Sequence, residues 1–126
     1  MSQQNHQSSI MINDRPVAVE WTPSAETALA RRADILFVEL ELYFSCLVKK
    51  FVHFRDDSRG KPTMVVRDKL HLYFRPVTST ACTFEVAERL GRQPEMEIES
   101  EALRHVAPKR VFIDHVDGVW RGSFNF

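Results

Sequence analysis

The sequence predicts an α+β domain, an antiparallel and mostly meander sheet packed by two or three helices. Three observations carry that expectation. Several segments alternate apolar and polar residues with the period of a half-buried strand. Short runs with helical spacing stand between them. An Asp117-Gly118 dipeptide separates two β-prone runs at the C-terminus, which predicts a closing β-hairpin.

Residues 1–9 are rich in Gln, Asn and Ser and carry no periodicity, so they read as a disordered tail before a single domain over 10–126. Ile10 to Trp21 has room for a short strand interrupted by Asn13-Asp14-Arg15-Pro16. Thr22-Pro23 is a helix start: Thr caps free amides and Pro suits the first helical position. Ala25, Ala28, Leu29 and Ala33 then share one face, which predicts a helix from Pro23 to about Ala33.

In Val38 to Phe44 the apolar residues recur at every second position, with Glu39 and Glu41 on the opposite face. That is the pattern of a half-buried strand with its glutamates in water. Glu and Leu are also good helix formers, which keeps a helix open here. Cys46 to Phe54 continues as a second strand, and Arg55 to Pro62 is a loop by composition. Thr63 to Val66 is a short β-prone run. In Lys69 to Arg75, Leu70, Leu72 and Phe74 point inward while Lys69, His71, Tyr73 and Arg75 point outward, and Pro76 ends the strand or marks an edge. Thr83 to Leu90 reads as a helix stopped by Gly91, and Ser100 to Val106 as a short helix stopped by Pro108. In the hairpin, Arg110 to Val116 pairs with Val119 to Phe124, which sets Asp114 opposite Arg121. Val111, Ile113, His115, Trp120 and Phe124 form its core-directed face.

Composition narrows the function classes. With 126 residues, 44% of them hydrophobic, and nine Phe, the chain can build one core without disulfides or a metal. Cys46 and Cys82 stand in apolar surroundings, which suits free buried thiols. The densest apolar stretch, Leu42 to Val48, is far short of the ~20 residues that cross a bilayer. No secretory signal is evident, so the expectation is a reduced, cytoplasmic protein without a membrane partner.

Seventeen basic and seventeen acidic residues cancel, which removes any whole-molecule attraction to nucleic acid. The cancellation hides an asymmetry. Lys49 to Arg75 holds eight basic residues against three acidic, and Glu85 to Arg104 holds six acidic against three basic. Two strands in the basic region present rows, Lys49, Phe51, His53, Arg55 and Lys69, His71, Tyr73, Arg75. Cations interleaved with aromatics can hold phosphates and stack bases. The same rows also suit an ordinary solvated sheet face, the reading preferred because neither contains a nucleic-acid motif.

No phosphate loop, paired metal-ligand spacing or nucleophile motif is present, so no cofactor and no metal site are expected. Asp56-Asp57-Ser58-Arg59-Gly60 is one residue short of the D-x-S-x-x-G of cyclic-dinucleotide receptors and lacks their upstream arginine motif, so it reads as a polar turn. The function expected first is a non-catalytic protein-interaction module or small homo-oligomer. Binding of nucleic acid or a phosphorylated ligand through the basic face, and an enzyme site assembled from dispersed His and Cys residues, are the alternatives. The ligand-binding set considered for that face is Lys49, His53, Arg55, Lys69, His71, Tyr73 and Arg75.

Overall fold

The computed structural model describes residues 4–44, 48–79, 95–97 and 106–126. Among them are nine strands and one helix: β1 (His6–Ile12), β2 (Arg15–Trp21), α1 (Pro23–Ala30), β3 (Leu36–Phe44), β4 (Val48–Arg55), β5 (Met64–Arg67), β6 (Leu70–Ser79), β7 (Glu95–Glu97), β8 (Arg110–Val116) and β9 (Val119–Asn125). They form two sheets, one in the order β1-β2-β8-β9 and one in the order β4-β3-β6-β5 with β7 also beside β6.

This corrects the α+β expectation. The described chain is mostly β, and the sheets are mixed: β2 runs parallel to β8 and β3 parallel to β6. A meander rests on pairing between neighbours in sequence. Here the central partners of both sheets are distant in sequence, and such pairings leave no local signature. The helix expected at Thr83 to Leu90 lies outside the described residues, as do Cys46, Cys82 and all but the last residue of the helix expected at Ser100 to Val106.

The N-terminal expectation also changes. His6 to Ser9, read as part of a disordered tail, lie in β1, which pairs along its whole length with β2. A backbone ladder asks only for N–H and C=O groups, so polar side chains can join it on an exposed face. The turn between the two strands is Asn13-Asp14, with φ of 51° and 62°. Asn and Asp tolerate this left-handed region, which suits a tight hairpin.

The core lies between the sheets. Val17, Val19, Val111, Ile113 and Phe124 of the first sheet meet Leu36, Val38, Leu40, Leu70 and Leu72 of the second in one buried cluster. Burying each such side chain contributes roughly 1.5–3 kcal/mol. Phe54 stacks on Trp120 with centroids 5.8 Å apart, and Phe74 meets Phe124 edge-on at 6.4 Å. Helix α1 adds Ala25 and Leu29 to the core. Thr22 caps it, accepting from the Ala25 N–H at 3.1 Å and donating to Asp114 Oδ1 at 2.6 Å. The cap therefore ties α1 to β8.

The Asp117-Gly118 hairpin has the expected register, with Asp114 opposite Arg121 and positive φ at both turn residues. The Asp114 carboxylate, however, is taken by Thr22 and by the His115 N–H. Pro76 does not end its strand, since β6 continues to Ser79. Among the described residues it sits between the last β5 partner of β6, at Leu72, and the first β7 partner, at Val77.

Candidate functional site

Strand β3 lies between β4 and β6, and its register assembles the site. His53, Glu39 and Tyr73 stand side by side across the three strands, as do Phe51, Glu41 and Arg75, and Arg55, Phe37 and His71. These residues occupy the face opposite the interior positions Val38, Leu40 and Leu72. The two basic rows expected from the sequence thus share a face, with the glutamates of β3 between them.

The glutamates are not in water. Glu39 is fully buried and Glu41 nearly so. Burying a carboxylate is costly unless it is paired and hydrogen-bonded. Tyr73 donates its hydroxyl to Glu39 Oε1 at 2.8 Å, and Arg55 donates to Oε2 at 3.3 Å. Arg59 reaches Oε1 at 3.8 Å. Arg75 donates to Glu41 Oε1 at 3.5 Å. His53 Nε2 lies 3.3 Å from Glu41 Oε1 and 3.7 Å from Glu39 Oε2, but that nitrogen is buried without an aligned hydrogen bond.

The other residues singled out from the sequence stand apart from this network. Lys49 is exposed, opposite Tyr43. His71 Nδ1 is 3.2 Å from Thr63 Oγ1, and its ring meets Phe37 edge-on. Lys69 precedes β6 and donates to the Arg32 carbonyl, so it does not join the row. Sequence reasoning missed Glu39, Glu41 and Arg59 as site residues. The available signal was two carboxylates at alternate positions in a strand, with cations in the segments that follow.

Electrostatics fix the protonation at the centre of the network. Burial pushes the Glu39 carboxyl up, but the Tyr73 and Arg55 hydrogen bonds and the Arg55 and Arg75 charges outweigh it, and the net shift is downward. Burial, the hydrogen bond to Glu39 and its charge push the Tyr73 hydroxyl up to about 12. Burial pulls the Arg55 guanidinium down, and Glu39 more than reverses that. Glu39 is therefore ionised and Tyr73 neutral near pH 7, and neither is poised for proton transfer there. A spectrophotometric titration at high pH should show Tyr73 ionising near 12, a late step missing in Tyr73→Phe. Because its folded value lies above the ordinary 10.0, its contribution to stability is intact below pH 10 and lost as pH rises through the folded value. The absence of any late step that Tyr73→Phe removes would contradict the buried Tyr73–Glu39 bond.

Glu39, Glu41 and His53 also present ligand atoms within 4.8 Å of one another. Both Glu39 oxygens already face hydrogen-bond donors, and the guanidinium groups of Arg55, Arg59 and Arg75 border the pair. A cation there would have to displace them, so the donor set fits internal neutralisation better than a metal. A cavity of about 230 Å³ beside the site is lined in part by Tyr73, Arg75, Lys61, Pro62 and Met64, and His53 and His71 do not line it. A larger one, about 650 Å³, lies on the first sheet, lined in part by Gln7, Glu20, Arg110 and Phe112.

Comparison with known proteins finds no matching family model, curated protein or solved structure. Among the described residues no helix is long and apolar enough to cross a membrane.

Proposed function

We propose that this chain is a non-catalytic protein-interaction module that binds through the β4 side of its second sheet. One observation carries the reading: β4 is a long, regular edge strand with exposed apolar residues. Among the described residues it pairs with β3 alone, in unbroken register from Phe37–Arg55 to Phe44–Val48. It has no proline. Val48 is 62% exposed and Phe51 40%. Edge strands of this kind are templates for pairing, which proteins usually blunt with bulges, prolines or charge. Among the described residues of β4, charge at Lys49, Lys50 and Arg55 does so, and Arg55 is paired with Glu39.

The polar constellation supports the same reading by its chemistry. Arg55, Arg75, Tyr73 and His53 are turned toward Glu39 and Glu41, which leaves the phosphate-binding alternative less support than the sequence rows gave it. The glutamates are neutralised internally rather than presented to a substrate.

A photo-crosslinking amino acid at Val48 tests this. Illumination of the full chain in host extract, and of the pure protein at high concentration, should give discrete adducts that are lost when Phe51→Thr is added. Phe51 is exposed and Thr is a neutral, β-prone residue opposite Glu41, so circular dichroism should show the fold intact. Absence of both self-adducts and partner adducts at Val48 would overturn the proposal.

A further inference from the structure

Resting on that reading, we propose that β4 takes an extended acidic and apolar segment of a partner as an added strand. The backbone supplies the first argument. In an antiparallel pair, every second residue directs its N–H and C=O away from the neighbouring strand. Across the eight residues of β4 this leaves a row of donors and acceptors on the side away from β3. An incoming strand would satisfy them, with pockets for alternate side chains giving selectivity.

Charge supplies the second. Lys49, Lys50 and Arg55 make β4 cationic, and it carries no acid. Arg55 is compensated by Glu39. Lys50 donates to the neutral side-chain oxygen of Asn125, at 3.1 Å, and Lys49 is exposed. The positive charge that Glu39 and Glu41 do not offset therefore gathers at the exposed end of the strand. A second copy pairing through the same edge would bring two cationic strands together, and like charges on facing strands are destabilising. An acidic segment reverses that sign.

The exposed side chains supply the third. Phe51 stacks on His53 with centroids 6.1 Å apart and meets Tyr43 edge-on at 6.4 Å. This aromatic row stops at the strand edge with Phe51 still exposed. The partner chemistry follows by position: carboxylates opposite Lys49 and Lys50, and aromatic or β-branched residues opposite Phe51 and Val52.

The test is fluorescence anisotropy with the full chain and a labelled peptide of β4's length carrying Val-Tyr-Glu-Glu at its centre. Saturable, salt-sensitive binding is expected. Replacing both Lys49→Glu and Lys50→Glu should weaken it about tenfold, or ~1.4 kcal/mol. Methylating alternate backbone nitrogens of the peptide, in the phase that faces β4, should abolish it. Equal binding of a lysine-for-glutamate peptide, equal binding of both methylated phases, or no binding would overturn the proposal. Crosslinks at Val48 without peptide binding would remove strand addition and leave the interaction reading standing. Loss of both would remove both.

Discussion

Replacing Glu39 by alanine is expected to destabilise the fold by about 3 kcal/mol, measured by urea unfolding. Removing one member of a buried ion pair leaves its partners desolvated and uncompensated. The lower part of the usual range is expected because Arg55 and Arg59 keep 32% and 51% of their side-chain surface and can rehydrate. Glu39→Gln should cost less, about 1–2 kcal/mol, because the amide oxygen can still accept from Tyr73. The pH dependence has a definite sign. The folded Glu39 value lies below its ordinary 4.5, so its stabilisation is complete above that value and lost as pH falls through the folded one. Acid unfolding should therefore be shallower in Glu39→Ala than in the wild type. A Glu39→Ala protein as stable as wild type at pH 7 would show that the network contributes nothing net.

Enlarging Gly122 should have a comparable effect through packing. This glycine pairs with Ile113 on the inner side of β9. A Cβ built there would lie 2.9 Å from Val52 Cγ1, 3.1 Å from Phe54 Cζ and 3.3 Å from the Phe112 carbonyl oxygen. The missing side chain lets the edges of the two sheets approach. The Val52 methyl can rotate away, but the carbonyl cannot. Gly122→Ala is expected to cost about 1 kcal/mol and Gly122→Val about 3 kcal/mol. Adding Val52→Ala to Gly122→Ala should recover part of the loss, a coupling that a double-mutant cycle measures. Strict additivity would mean that the strain lies elsewhere.

How much is legible differs by element. The C-terminal hairpin can be read because Asp117-Gly118 prescribes its own turn and the flanking runs alternate. The start of α1 can be read because Thr22-Pro23 is a local cap. The β1–β2 hairpin escapes because Asn13-Asp14 is a weaker turn signal than a dipeptide with Gly, and the polar strand before it resembles a tail. The candidate site is half legible. Alternation places His53, Arg55, Tyr73 and Arg75 on outward rows, but the same alternation makes Glu39 and Glu41 look solvated.

By itself, then, the sequence determined the local period of β3, β4 and β6, the helix cap and the final turn, because each depends on residues within a few positions. Tertiary structure alone decided that β3 lies between β4 and β6, and β8 beside β2. The β3–β6 and β2–β8 pairings join segments far apart in the chain, which meet only when the sheets assemble around a common core. The placement of β3 between β4 and β6 turned two apparently solvent-facing glutamates into the buried, neutralised centre of the sheet, and left β4 at its edge.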